Sequence, residues 1–216
     1  MKKKVIKHLS LSGLTRQALI LIALIFLHLS SLFAGEGIEL SNLNSSWQRV
    51  LPGKLICQPQ TTSYGFAVMT DAYNIMSFTS QGKIVFEKLL TRANGGTFGV
   101  LENDFFAVVT ASSKRITLLN PDGHELWNTT VNFKITHSPS SGRAGIFFLR
   151  GSETLACFSI NRIQKWEIST PLQSKLELQE LPDGSLILFL QQLDQGKTKA
   201  LRITPFGEII EEITFA

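Results

Sequence analysis

The chain has 216 residues, of which 44% are hydrophobic and 18% charged, enough for one domain with a substantial core. Its formal net charge of +4 arises at the start, because five of the 21 basic residues and none of the 17 acidic residues lie in positions 1–34. The rest of the chain is close to neutral and has no basic cluster, which argues against a nucleic-acid partner.

Segment 1–34 has the layout of a secretory signal peptide. Lysines at positions 2–4 and 7 and Arg16 precede the uncharged run ALILIALIFL (18–27), and small residues follow before Gly35. This run is shorter than the roughly 20 apolar residues of a membrane span. The sequence therefore predicts a cleaved signal helix and export, to a bacterial periplasm or outside the cell. An uncleaved N-terminal anchor is the alternative.

The remainder, 35–216, contains one pattern four times: an apolar strand, a tight turn and a second strand. The four copies span 75–90, 116–131, 155–170 and 201–216. Their turns align on Gly82, Gly123, Arg162 and Gly207, at intervals of 41, 39 and 45 residues. Four residues after these turns stand Phe86, Trp127, Trp166 and Glu211. A recurrence near 40 residues indicates a repeat architecture.

Two further short strands precede each copy, so each unit offers four strands separated by turn residues. The first strand of each unit is predicted at 54–62, 95–103, 133–139 and 174–182. This pattern predicts an all-β fold, a β-propeller built of four-stranded antiparallel blades. The blades are expected at about 53–91, 92–132, 133–170 and 171–216, preceded by an orphan strand near 45–52 that contains Trp47. A β-sandwich is the competing all-β architecture, but it does not require one hairpin signature four times in register.

The segments GKIVFEKLL, GHELWNTTV and RIQKWEIST resemble the closing motif of quinoprotein-type (PQQ-like) β-propeller repeats, roughly G-x-x-x-W after an alternating strand. The resemblance covers about residues 45–216. The resemblance implies a propeller fold. It also suggests a scaffold role, because one family member is the propeller component of the outer-membrane barrel-assembly machinery. Arg162 in place of glycine and Glu211 in place of the aromatic depart from the motif.

Four blades plus one orphan strand suggest a partial or open propeller, because rings of this family commonly have seven or eight blades. Exposed blade faces and strand edges favour association. We therefore expect unknown protein partners, with self-association or a second chain completing the ring as possibilities. A compact four-bladed ring is the alternative, although it leaves Trp47 unexplained.

The sequence assigns no catalytic, cofactor-binding or metal-binding residue. His124 falls in a hairpin turn and His137 beside a strand, and no H-x-x-x-H or C-x-x-C spacing occurs. Asp104, Asp122, Asp183 and Asp194 stand at turns, where aspartate commonly caps local backbone donors. Cys57 and Cys157 are interpreted as two isolated buried thiols, with one disulfide as the alternative. The three tryptophans are interpreted as packing residues between blades and not as a ligand-stacking set.

These observations predict a non-enzymatic, extracytoplasmic binding or scaffolding propeller without a cofactor, which could be a fragment of a longer propeller. The alternative is a degenerate quinoprotein-like enzyme or a sugar- or peptide-processing propeller. The metal-ligating carboxylates and stacking pocket that the quinone-dependent activity needs cannot be placed on this sequence.

Overall fold

The structure is a computed structural model that describes residues 47–90, 96–110, 113–170, 177–192 and 197–215. In these ranges, 16 strands form four antiparallel sheets of four strands each, in chain order. The predicted all-β, four-bladed fold class is therefore confirmed. The predicted signal segment, 1–34, lies outside the described residues. Within the described ranges, no helix has the length and apolar character needed to cross a bilayer.

In each sheet the strands pair in chain order, and the last strand is called here the outer strand. The first sheet contains β1 (Gln60–Thr61), β2 (Gly65–Met69), β3 (Asn74–Thr79) and β4 (Ile84–Leu89). The second contains β5 (Thr97–Val100), β6 (Phe106–Thr110), β7 (Arg115–Leu119) and β8 (Glu125–Thr130). The third contains β9 (Ser140–Ser141), β10 (Ile146–Arg150), β11 (Thr154–Ser159) and β12 (Gln164–Ser169). The fourth contains β13 (Leu178–Glu180), β14 (Leu186–Gln192), β15 (Lys197–Ile203) and β16 (Ile209–Phe215).

The first strands of the sheets are shorter than the sequence predicts. Only two residues of the predicted strand 54–62 and none of 133–139 form a regular strand, and the third sheet instead begins at Ser140. Pro59 and Pro139 directly precede the observed strands. Proline has no N–H for a ladder hydrogen bond, so regular pairing begins only after it. Isolated bridges, Leu55 with Thr70 and Ile135 with Gly151, continue each sheet before the proline.

The turn between the last two strands of each sheet has one left-handed residue, as the register of the repeat predicts. Its φ is +78° at Gly82, +80° at Gly123, +68° at Arg162 and +88° at Gly207. In the second sheet, Gly123 N donates to Asn120 O at 2.9 Å and Asn120 N donates to His124 O at 2.9 Å. Arg162 therefore occupies a conformation that favours glycine.

Apolar clusters join each sheet to the next one. Phe86 and Ile75 of the first sheet pack with Phe106 and Val108 of the second. A second cluster joins the second and third sheets, and a third joins the third and fourth. Among the described residues, no such cluster joins the fourth sheet to the first. Stacking thus buries the apolar faces that a single small sheet leaves exposed.

The aromatic position of the repeat lies at these junctions. A Cβ placed on Gly123 would come within 2.4 Å of the Phe86 ring, and one on Gly207 within 2.8 Å of the Trp166 ring. Trp127 Nε1 donates to Ile160 O at 2.6 Å, and Trp166 Nε1 donates to Pro205 O at 2.9 Å. Each aromatic side chain therefore packs on the hairpin turn of the following sheet, which confirms its interpretation as a packing residue.

Trp47, the first described residue, makes the same contact on the first sheet. Trp47 Nε1 donates to Ser80 O at 2.9 Å, and its ring stacks on Phe66 at a centroid distance of 5.7 Å. A Cβ on Gly82 would lie 2.3 Å from the same indole. Residues 47–50, the first described part of the predicted orphan strand, form no regular strand. The side chain alone therefore supplies the repeated contact.

The two cysteines are free thiols. Cys157 is buried at the junction of the third and fourth sheets, and Cys57 is half-buried beside the cluster between the first and second. Burial raises the pKa of Cys157 to about 11 and also raises that of Cys57. Their interpretation as isolated thiols is confirmed, and both remain protonated and weakly nucleophilic at neutral pH.

Candidate functional site

The loops that connect the first two strands of the first three sheets, together with Glu180 at the end of β13, line one open cleft of about 440 Å³, called here the loop cleft. It is lined by Thr61–Ser63, Val100–Glu102, Asp104, Ser141–Arg143 and Glu180. Each of the four sheets therefore contributes to it. Its lining is rich in hydroxyl, carboxylate and guanidinium groups, and the structure places neither histidine nor cysteine in it.

Carboxylates of the loop cleft bind backbone N–H groups of the adjacent sheet. Asp104 Oδ1 accepts from Ser63 N at 2.8 Å, and its second oxygen accepts from the Ser63 hydroxyl. Glu102 Oε2 accepts from Gly145 N at 2.9 Å. Glu180 Oε2 accepts from Arg143 N at 3.0 Å. These charge-assisted bonds link the first, second, third and fourth sheets in succession.

The turn that presents Asp104 has an unusual backbone. Glu102–Asp104 form a single 3₁₀ turn in which Asn103 and Asp104 both have a φ of +58°. Asparagine and aspartate tolerate this left-handed region better than most residues. The turn directs Glu102 toward the third sheet and Asp104 toward the first. It therefore fixes the loops on both sides of the second sheet.

Arg143 adds a bond from its side chain to the fourth sheet. Its guanidinium donates to Pro182 O at 3.2 Å, while its backbone N–H binds Glu180. Both contacts join loops that are almost 40 residues apart in sequence. The cleft is thus a surface held by bonds between sheets, and a ligand would meet loops whose positions are already fixed.

Nearby, Tyr64 replaces a donor that the repeat lacks. At the other junctions a tryptophan Nε1 donates to the turn, but the Phe86 side chain has no hydrogen-bond donor. Tyr64 Oη donates instead to Pro121 O, in the turn of the second sheet, at 3.5 Å. Tyr64 Oη also lies 3.1 Å from Ser77 Oγ. Burial raises the pKa of Tyr64, and the charges of Asp104 and Asp122 raise it further. The hydroxyl therefore stays protonated and able to donate at neutral pH.

The sequence-predicted turn aspartates have different roles. Asp183 caps its own turn as expected, whereas Asp104 binds the neighbouring sheet, which the sequence does not reveal. Asp122 is an exposed turn residue, and Asp194 lies outside the described residues.

No group of three or more histidine, cysteine or carboxylate side chains in the described ranges could hold a metal ion. Neither His124 nor His137 lines the loop cleft.

The fourth sheet differs from the others at the positions that elsewhere face the next sheet. Arg202 pairs with Glu211 in register, where the third sheet has buried Cys157 beside Trp166. Arg202 donates to Asp183 Oδ2 at 2.8 Å, and Ser185 donates to Asp183 Oδ1 through both its hydroxyl and its backbone N–H. These contacts make this face of the fourth sheet polar.

The Asp183 contacts give stability a specific pH dependence. The hydrogen bonds from Ser185 and then those from Arg202 hold the Asp183 pKa at about 2, below its ordinary 3.8. A depressed pKa stabilises the fold above the ordinary value, and this contribution is lost as pH falls toward 2. Asp183→Asn should therefore lower the melting temperature at pH 6 and flatten its decline between about pH 4 and pH 2. Asp122→Asn is the matched control, and equal profiles for the two variants would contradict the assignment.

Solved structures similar to this chain are β-propellers, whereas no family model and no curated protein matches it. BamB from Moraxella catarrhalis is 18% identical, with a TM-score of 0.55 over 76% of this chain and 53% of that chain. Virginiamycin B lyase from Staphylococcus aureus, in a catalytically inactive form with quinupristin, is 19% identical, with a TM-score of 0.60 over 80% and 60%. BBS1N in complex with ARL6DN is 11% identical, with a TM-score of 0.53 over 78% and 68%.

These similarities support the propeller fold and extend no further. The chain spans about half the length of the BamB chain and three fifths of that of the lyase. At identities below 20%, neither the lyase reaction nor a named partner transfers to this chain. Membership of the PQQ-like family, suggested by the repeat motif, stays a prediction.

Proposed function

We propose that this chain is a non-enzymatic binding or scaffolding propeller that acts outside the cytoplasm and contacts protein partners through the loop cleft. The observation that supports this most is the convergence of residues from all four sheets, including loops of the first three, on one open surface. Loops held on a rigid scaffold are the usual location of binding residues. Export follows from the predicted signal peptide and is part of the proposal.

The chemistry of the cleft favours binding over catalysis. Asp104, Glu102 and Glu180 each use an oxygen to accept a backbone N–H from a neighbouring sheet. A general base or a nucleophile must instead reach a substrate and be oriented by a partner group. Open hydroxyl-bearing residues such as Thr61 and Ser141 lie beside these bonds and offer donors and acceptors to a partner surface. BBS1N, solved in complex with ARL6DN, is a structurally similar propeller bound to another protein.

Site-specific crosslinking tests this proposal. A photo-crosslinking amino acid at exposed Ser141 should capture a discrete protein in the producing cell, whereas the same group at exposed Lys165 of β12 should not capture that species. Glu180→Gln should weaken the capture at least severalfold, because the Arg143 loop loses a charge-assisted bond. Equal capture from both positions, or none from Ser141, would contradict the proposal.

The enzymatic alternative has its own test. Quinone cofactor and calcium added to the purified protein should leave the absorbance spectrum equal to the sum of the separate spectra. A bound chromophore, shown by a shifted quinone band that persists after gel filtration, would favour the hypothesis of a degenerate quinoprotein-like enzyme over the binding role.

A further inference from the structure

The outer strand of the fourth sheet differs in charge from the other outer strands. Glu208, Glu211 and Glu212 stand in and directly before β16, and no lysine or arginine occurs between 208 and 215. By contrast, β4 and β12 each combine glutamate with lysine, and β8 has a single glutamate. Lys199 of β15 pairs with Glu212, and Arg202, which stands opposite Glu211, forms its ion pair with Asp183. Three carboxylates therefore share two cations on this part of the fourth sheet, and Glu208 adds a further negative charge.

The same hairpin exposes large apolar side chains. Phe206, at the tip of the turn, is 81% exposed, while Ile209 and Ile210 are 46% and 55% exposed. The tips of the other three turns carry Gln81, Asp122 and Asn161 at the equivalent position. The other hairpins also expose apolar side chains, at Val85, Leu126 and Ile163, but among the described residues this hairpin alone has three within five positions.

β16 is also an edge strand. Among the described residues it pairs with β15 alone, so one row of its backbone N–H and C=O groups has no strand partner. Proteins usually protect such an edge with lysine or proline, and β16 contains neither. Its seven residues are long enough to pair with an added strand.

We propose that β16 accepts an extended segment of a partner protein as a fifth strand of the fourth sheet, and that this segment has two adjacent apolar residues next to two adjacent lysine or arginine residues, matching the Ile-Ile-Glu-Glu order of 209–212. Apolar side chains of the segment would cover Ile209 and Ile210, and its basic side chains would lie near Glu208, Glu211 and Glu212. A second copy is the weaker occupant, because pairing two β16 strands would bring their glutamates together. This surface is independent of the loop cleft.

Peptide binding to the full chain tests the proposal. The probe is a fluorescein-labelled seven-residue peptide in which pairs of valine alternate with pairs of lysine, and the control peptide has glutamate in place of lysine. Fluorescence anisotropy should show saturable binding of the lysine peptide alone. Hydrogen exchange should slow at backbone amides of β16 when it binds, because these amides gain strand partners.

Matched variants locate the site. Ile210→Lys should lower the affinity for the lysine peptide by about tenfold or more. Leu126→Lys, at the equivalent position of β8, where the side chain is 50% exposed, should leave that affinity unchanged. Equal effects of the two variants, or equal binding of both peptides, would overturn the proposal. Sedimentation without peptide tests the other occupant: a dimer lost in Ile210→Lys and kept in Leu126→Lys would assign the edge to a second copy instead.

Discussion

Replacing Trp127 by alanine is expected to lower the free energy of unfolding by about 3 kcal/mol. The indole packs against the cluster between the second and third sheets and stacks near Phe147, at a centroid distance of 6.4 Å. Alanine would leave a void between two sheets that depend on each other for burial of their apolar faces. It would also leave Ile160 O without its 2.6 Å donor. Urea denaturation monitored by circular dichroism measures the effect.

Trp127→Phe separates the packing contribution from the hydrogen bond. Phenylalanine keeps an aromatic ring in the junction, so the expected loss falls to about 1–2 kcal/mol, mainly the cost of the unpaired carbonyl. At the junction that naturally contains Phe86, the equivalent carbonyl, Pro121 O, accepts a hydrogen bond from Tyr64 Oη. A phenylalanine at this position therefore leaves the turn carbonyl in need of another donor. If alanine and phenylalanine proved equally destabilising, packing at this junction would not be the source of the stability.

The sequence reveals the repeat because the junction imposes the same requirement four times. A left-handed turn residue must meet an aromatic side chain from the preceding unit, so both recur in register near every 40 residues. Both departures from the motif have structural counterparts. Arg162 keeps a left-handed φ, and Glu211 stands on the sheet whose outward positions are polar.

The loop cleft could not be predicted in the same way. Its bonds join Ser63 to Asp104, Glu102 to Gly145 and Arg143 to Glu180. The donor residue differs at every junction, and the carboxylate comes from the later sheet at two junctions and from the earlier sheet at the third. Backbone N–H donors leave no trace in sequence, because any residue except proline supplies one. A turn aspartate such as Asp104 therefore looks like a local cap until the adjacent sheet is in place.

The second large effect is expected at Gly123. Gly123→Ala should destabilise the protein by about 3 kcal/mol, because two costs add. A left-handed backbone with φ of +80° costs an alanine about 1 kcal/mol. The new Cβ would also lie 2.4 Å from Phe86 Cδ2, and such overpacking typically costs about 1–3 kcal/mol. Thermal and urea unfolding both measure the change.

A double-mutant cycle distinguishes these two costs. Phe86→Ala removes the ring that the new Cβ would meet, so the double variant should be more stable than the sum of the single changes predicts, by about 1 kcal/mol or more. Arg162→Gly is the reciprocal change at the equivalent turn, and it should stabilise the protein by up to about 1 kcal/mol, since glycine adopts the +68° φ without strain. An additive cycle together with a neutral Arg162→Gly would mean that neither turn is closely packed against its neighbour. The repeated aromatic–turn contact would then not be what joins one sheet to the next.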